Sequence, residues 1–359
     1  MHTLMEMAFE LARKSNPFPN PRVGAVIAKE GRVIGRGYHK KPGMPHAEIE
    51  AMQDAQRAGE SLSGSTLYAT LEPCSHTSKR TPPCAQEIIS KGIKKVVFAM
   101  EDPNPLVGGA KLLREAGIEV EGPCAKEEGV ALNREYLKNI MQKPLVAIKM
   151  AMSADGKTAT RNGDSHWISG EESREYVHKL RSDFDAVVVG AGTIKADNPQ
   201  LTSRIRGGKN PYRIIVDGSL GIPLDSKVLA NTDGKTIIAT TEKAPRGRML
   251  ELETRANCTV FCCGKESVDM QKLVSSLSAM GMKKILIEGG SELNASALEA
   301  GVVDKLYLFI APKIIGGKDA KGVIGGAGIS SMGEAIKLGN MKTRKMGEDL
   351  LLEFSVKKR

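Results

Sequence analysis

At 359 residues the chain is long for one hydrophobic core, so two domains are expected. Its 41% hydrophobic and 26% charged content is that of an ordinary globular protein, and only 4% aromatic residues argue against a base-stacking platform for single-stranded nucleic acid. The net charge of +10 comes without a Lys/Arg block or basic arm, which points to anionic small molecules as partners rather than nucleic acid. Six cysteines at irregular spacing do not form a disulfide framework and read as reduced thiols of a cytoplasmic enzyme. The first seven residues read as the start of an amphipathic helix and not as a signal peptide. No apolar run approaches the ~20 residues that span a bilayer, so no membrane partner is expected.

The spacing of Leu4, Met7, Ala8, Leu11 and Ala12 predicts an opening helix. Strands follow at 23–27 and 33–38, separated by the turn signal Glu30-Gly31. A helix over 46–57, a strand at 66–71 and a helix over 84–91 come next. Strand 94–100, helix 110–116, strand 118–121 and a single helix over 127–141 complete the first half. This alternation predicts a largely parallel sheet with helices on both faces, with functional groups at the strand C-termini.

His46-Ala47-Glu48, Glu72-Pro73-Cys74 and Cys84 stand within this frame. Zinc favours His nitrogen and Cys sulfur in a tetrahedron, and three protein ligands leave a fourth position for water. Bound zinc brings the pKa of that water towards neutrality. Glu48 is too close to His46 in sequence to be a convenient fourth ligand, but it suits a proton shuttle. Either piece alone is ordinary: His-Ala-Glu can open a surface helix, and two cysteines can be buried thiols. Together and in this order they form the zinc-deaminase signature, in which the Glu is the general acid and base. One departure is the nine residues between Cys74 and Cys84, where the compact form has two.

Five segments carry a closer resemblance: Asn20-Pro21-Arg22-Val23-Gly24-Ala25, His46-Ala47-Glu48, Glu72-Pro73-Cys74-Ser75-His76, Thr81-Pro82-Pro83-Cys84, and the run from Glu101-Asp102-Pro103-Asn104 to Gly108. They resemble the deaminase half of the bifunctional deaminase–reductases of riboflavin biosynthesis, a family in which the loop between the cysteines is long. The resemblance implies a cytidine-deaminase-like three-layer α/β/α domain. Its implied substrate is a phosphorylated pyrimidine, 2,5-diamino-6-ribosylamino-4(3H)-pyrimidinone 5′-phosphate. It also puts Asn20, His39, His76, Asp102 and Asn104 around that substrate. Thr77-Ser78-Lys79-Arg80 is one residue longer than the family's usual loop sequence, so Lys79 or Arg80 takes its basic position, and Arg80, which abuts Thr81-Pro82-Pro83, is the choice. The residues by themselves allow plainer roles, with Asn20 and Asn104 setting turns before Pro, Asp102 capping a helix and His39 lying on the surface.

A domain boundary is expected at Lys143, giving domains 1–143 and 144–359. Past it, strands are predicted at 145–150, 186–189, 212–216, 236–239, 259–262, 284–287, 305–310 and 350–356, with helices at 171–180, 270–280 and 292–300. Three stretches carry possible chemistry: Lys149 to Ile168, Gly190 to Arg204, and Ile287-Glu288-Gly289-Gly290-Ser291. The last is a Gly-rich strand-to-helix turn of the kind that offers backbone N–H groups to a phosphate. None is a G-x-G-x-x-G fingerprint, so an ordinary Rossmann domain is not supported.

In combination these stretches resemble the reductase half of the same family, which implies a dihydrofolate-reductase-like α/β domain that uses NADPH. The resemblance puts Ser165, Arg181, Leu201, Arg204 and Glu288 on the reductase substrate. It puts Ala151, Trp167, Thr193, Asp197, Gly218 and the run Gly290, Ser291, Glu292, Leu293, Asn294, Ala295 and Ser296 on NADPH. Charge alone suits Arg181 and Arg204 to a phosphate, but surface ion pairing, a core position for Trp167 and a turn cap for Asp197 are the plainer alternatives. Lys149 and Asp155-Gly156-Lys157 are left outside the catalytic set, and no proton donor for reduction is evident. A homo-oligomer is the default for such an enzyme. The rival readings are a purely structural zinc beside an active reductase, a nucleic-acid deaminase and a non-catalytic scaffold.

Overall fold

The computed structural model describes residues 2–18, 20–75, 83–104, 107–231, 233, 235–256 and 258–357. The chain divides into two compact units, Met1–Gln142 with Ala279–Gly281, and Lys143–Ser278 with Met282–Arg359.

The first unit runs α1 (His2–Arg13), β1 (Gly24–Lys29), β2 (Arg32–Tyr38), α2 (Ala47–Arg57), β3 (Thr66–Ala69), α3 (Cys84–Ser90), β4 (Lys95–Phe98), α4 (Gly109–Glu115), β5 (Glu119–Glu121), α5 (Lys126–Leu132) and α6 (Arg134–Met141). Its five strands lie in the order β2-β1-β3-β4-β5. Side chains alternate across a strand, so neighbouring residues feed opposite layers. Ala25, Ile27, Leu67 and Val96 pack with α2, α3 and α4 residues such as Ala51, Ile88 and Leu113. Val26 and Val97 pack on the other face with Met5, Ala8 and Phe9 of α1. Fully burying a side chain such as Phe9 stabilises the fold by about 2–3 kcal/mol. The result is three layers, α/β/α.

The sheet departs from the expected parallel one. β1 pairs antiparallel with both β2 and β3, and only β3-β4 and β4-β5 are parallel. The reason is local: Glu30 (φ 52°) and Gly31 (φ 78°) take left-handed conformations and close a tight hairpin. A second departure is the expected helix 127–141, which breaks at Asn133 (φ −105°, ψ 24°) into α5 and α6. The Asn133 side chain bonds the backbone of Arg22 on both sides, accepting from its N–H at 2.8 Å and donating to its carbonyl at 3.1 Å.

The second unit contains β6 (Leu145–Ser153), α7 (Glu171–Asp183), β7 (Ala186–Gly190), α8 (Ala191–Asp197), β8 (Tyr212–Val216), β9 (Thr236–Thr240), α9 (Arg246–Ala256), β10 (Cys258–Cys262), α10 (Met270–Ala279), β11 (Lys284–Ile287), α11 (Ser291–Glu299), β12 (Lys305–Ala311), β13 (Leu338–Met346) and β14 (Asp349–Val356). The nine strands are ordered β10-β9-β8-β7-β11-β6-β12-β14-β13. From β10 to β12 every pairing is parallel, and β14 and β13 extend the sheet as an antiparallel hairpin. The parallel strands are apolar runs, as expected where both faces are covered. The C-terminal ends of β6, β7, β8 and β11 therefore share one edge, where open α/β sheets bind ligands. β13, α9 and α8 were not expected; α8 falls in the stretch from Gly190 to Arg204 that was singled out only for possible chemistry.

Candidate active sites

In the first unit the α2 N-terminus is brought against the sheet by glycines. A Cβ at Gly37 would lie 2.3 Å from the Ala47 carbonyl oxygen, and one at Gly35 would lie 2.3 Å from that of Ala51. His46 is the N-cap of α2. Cys74 follows the C-terminal end of β3, and Cys84 opens α3. His46 Nδ1 lies 3.2 Å from Cys84 Sγ and 3.5 Å from Cys74 Sγ, and the three donor atoms all fall within 4.8 Å of one another. Tetrahedral zinc, at ~2.0–2.1 Å from nitrogen and ~2.3 Å from sulfur, separates such donors by about 3.5 Å. The residues therefore fit zinc by chemistry and by spacing. No fourth His, Cys, Asp or Glu joins the group among the described residues.

The electrostatics suit that purpose. The hydrogen bond from Cys84 holds the Cys74 thiol down, to about 3, and the same contact together with burial pushes Cys84 well up. Cys74 is thus ready as a thiolate ligand. Glu48 is 3% exposed and sits in the first turn of α2. Burial raises its pKa, opposed by the His46 charge. A buried carboxyl one turn from the His–Cys–Cys group is placed to move a proton there.

The predicted substrate residues of this unit gather on neighbouring loops. His39 is 3% exposed, contrary to the surface position that its sequence context suggested. Its Nε2 lies 3.0 Å from Asn20 Nδ2 and its Nδ1 lies 3.0 Å from the Pro45 carbonyl, and its ring meets that of His46 edge-on at 5.5 Å. Asp102 Oδ1 accepts from the Asn104 N–H at 2.9 Å and from the Tyr136 hydroxyl at 3.1 Å. The loop after β4 packs on the Cys74 segment. Ala110 N–H donates to Glu72 at 2.9 Å, Gly108 N–H donates to Ser75 Oγ at 3.0 Å, and Gly109 leaves no room for a side chain against Pro73. His76 and Arg80 lie outside the described residues.

In the second unit the register sets Ile287 of β11 opposite Val188 and Ile148, so Glu288 and Lys149 come at the same level of the sheet. Arg181 of α7 grips Glu288 with both prongs, Nε to Oε1 at 2.6 Å and Nη2 to Oε2 at 2.8 Å, while Nη1 donates to the Thr202 carbonyl at 3.2 Å. The Arg181 charge holds the Glu288 carboxyl below its ordinary value against burial, helped by Lys149. Burial lowers Lys149. Arg181 is therefore no isolated surface cation; its guanidinium orients Glu288 and the 202 loop. That loop holds Asn198, Leu201 and Arg204 at φ of 41°, 56° and 56°. Left-handed non-glycine residues in one short loop are strained, and such strain concentrates at functional sites.

Ser165 Oγ lies 3.5 Å from Asp197 Oδ1. Trp167 is 64% exposed, so it fills no core, and the Arg174 guanidinium lies 4.8 Å from its ring centre. Ala151 is on β6 and packs against the core. The Gly218 carbonyl beyond β8 accepts from Thr241 at 2.8 Å. At the α11 N-terminus, Gly290 takes φ 73°, and a Cβ there would lie 3.4 Å from Thr193 Oγ1 of α8. Leu293 and Ala295 are buried, Ser296 bonds the Glu292 carbonyl, and Glu292 accepts from the Gly326 N–H at 3.2 Å. The segment with Gly325 and Gly326 thus closes over Ser291 and Glu292, a role for which its sequence gave no signal. Asn294 is 5% exposed, and its Oδ1 is the one buried side-chain polar atom without a hydrogen-bond partner among the described residues. An orphaned acceptor beside a glycine-lined helix N-terminus fits a ligand that carries both hydroxyl or amide donors and phosphate.

A metal centre of deaminase type in one unit and a ligand-ready sheet edge in the other define a two-function enzyme. Residues 1–100 match the cytidine and deoxycytidylate deaminase zinc-binding region, and residues 144–352 match the RibD C-terminal domain. The chain is 44% identical to the riboflavin biosynthesis protein RibD of Actinobacillus pleuropneumoniae, over 98% of this chain and 94% of that protein. It is 41% identical to that of Aquifex aeolicus, over 98% and 97%. Among solved structures it matches Acinetobacter baumannii RibD with a TM-score of 0.54 and 32% identity, over 98% of each chain. The chain belongs to the RibD family, the bifunctional deaminase–reductases of riboflavin biosynthesis.

Proposed function

We propose that the first unit deaminates 2,5-diamino-6-ribosylamino-4(3H)-pyrimidinone 5′-phosphate and that the second reduces the deaminated product with NADPH, turning its ribosyl chain into ribityl. The observation that carries this reading is the His46–Cys74–Cys84 group with the buried Glu48 on the first turn of the helix that His46 caps. Zinc held by those three residues supplies Lewis-acid activation of water. Glu48 takes the proton that water gives up and delivers it to the departing ammonia, leaving a carbonyl on the ring. Asn20, His39, Asp102 and Asn104 hold the ring and ribose phosphate, with His76 and Arg80 completing the set.

For reduction, NADPH held by Ala151, Trp167, Thr193, Asp197, Gly218 and the first turns of α11 supplies the hydride. Ser165, Leu201, Arg204 and Glu288 hold the open-chain carbonyl form of the sugar, and Arg181 fixes Glu288. The enzyme works as a homo-oligomer in the cytoplasm. No helix among the described residues is long and apolar enough to cross a membrane.

The test is mass spectrometry of products from the phosphorylated diaminopyrimidine, with zinc-loaded protein, with and without NADPH. Deaminated ribosyl product without NADPH and ribityl product with it are expected. Glu48→Gln should retain zinc and lose ammonia release; unchanged release overturns the role given to Glu48.

A further inference from the structure

The break between α5 and α6 lies beside both loops that carry the proposed deaminase substrate contacts. Asn133, at the break, is 2% exposed and brackets Arg22 through its N–H and carbonyl, so it fixes the strand entry just after Asn20. One turn on, Tyr136 donates its hydroxyl to Asp102 Oδ1 at 3.1 Å. The same oxygen accepts the Asn104 N–H, so the Tyr136 hydroxyl sets the carboxylate around which that turn forms. The break is held at a fixed distance from this loop. A Cβ at Gly129 of α5 would come within 2.7 Å of the Met100 side chain, and Ala125 N–H donates to the Ala99 carbonyl. A two-sided amide bridge and a phenol–carboxylate bond, three residues apart on one short segment, thus tie down two loops that are 80 residues apart in sequence.

A helix that only covered the sheet would need neither bond. Its apolar contacts, half-buried Leu132 with the α1 layer and half-buried Leu137 with the α2–α4 layer, already seat it on the domain. A buried asparagine at the cost of a helix break is unfavourable unless the bonds it makes are needed.

We infer that Asn133 and Tyr136 are positioning residues for the deaminase, setting the Asn20 and Asp102–Asn104 loops at the spacing that the phosphorylated pyrimidine requires. This rests on the reading above that Asn20 and Asp102 touch the substrate. Neither positioning residue belongs to the His46–Cys74–Cys84 group, and the side-chain bonds of Asn133 and Tyr136 reach Arg22 and Asp102. Their loss therefore weakens substrate capture more than it slows the chemical step.

The test measures KM and kcat for ammonia release, zinc content and NADPH-dependent reduction of the deaminated product, for full-length Tyr136→Phe and Asn133→Ala beside Asn20→Ala and Asp102→Ala. Tyr136→Phe keeps the ring and removes only the bond to Asp102, so it remains informative where Asn133→Ala folds poorly. The expected result is a rise of about three- to tenfold in KM for each positioning variant, the size of one aligned hydrogen bond. A smaller change in kcat, full zinc content and intact reduction should accompany it. Raised KM in Asn20→Ala and Asp102→Ala with unchanged KM in Tyr136→Phe and Asn133→Ala overturns the inference and leaves the substrate contacts standing. Unchanged KM in all four variants overturns the contact assignment itself, and the inference with it.

Discussion

A Cβ added at Gly109 would lie 1.8 Å from the carbonyl oxygen of Pro73. The residue next to Cys74 is thus packed without a gap against the first turn of α4, and Glu72 and Ser75 on either side bond the backbone of residues 110 and 108. Because backbone cannot move as a side-chain tip can, Gly109→Ala must push the Cys74 segment aside. A stability loss of about 1–3 kcal/mol is expected, the usual cost of overpacking. Zinc affinity should fall as well, checked by competition with a chromophoric chelator.

Metal removal should act on one unit only. A ligand that binds the native state stabilises it by mass action, by about 4 kcal/mol at a thousand times its dissociation constant. Chelation, or Cys84→Ser, is expected to lower one calorimetric transition and abolish ammonia release. The other transition and NADPH-dependent reduction should be unchanged.

The Arg181–Glu288 pair gives a pH dependence with a definite sign. The Glu288 carboxyl is held below its ordinary value of 4.5. Its contribution to stability is therefore complete above 4.5 and is lost as the pH falls through the lower folded value. Denaturant titrations of wild type and Glu288→Gln should differ at neutral pH by about 3 kcal/mol, since the variant leaves a mostly buried Arg181 without its partner. The two curves should converge in acid.

Trp167 is the single tryptophan, and its exposed ring lies against Arg174. If it borders the nicotinamide cofactor, NADPH titration should change its emission and lower its quenching by acrylamide. Trp167→Phe would remove that signal and weaken NADPH binding several-fold, as read by calorimetry.

The motifs that come together as the His46–Cys74–Cys84 group were legible because zinc chemistry restricts residue type and order, and helix and strand starts around them follow hydrophobic period. The parallel strands of the second unit were legible for the same reason. What escaped depends on partners distant in sequence. Asn133 sits in a helical pattern, and only its bonds to Arg22 explain the break. β13 is an exposed edge strand with no apolar face to announce it. The two-pronged grip of Arg181 on Glu288 spans 107 residues. Leu201 and Arg204 adopt a conformation that sequence normally signals by Gly or Asn, so the strain in their loop is visible only in three dimensions. Burial of His39 and exposure of Trp167 each removed the plainer alternative that the residue had by itself, a surface position for the one and a core position for the other.

Two compact units on one polypeptide have a consequence at the level of the cell. Every ribosome that completes the chain makes one copy of each active site, so their ratio is fixed whatever the level of expression. Making more of this chain raises both sites together, so within it the two steps are balanced by changing the turnover of one site against the other.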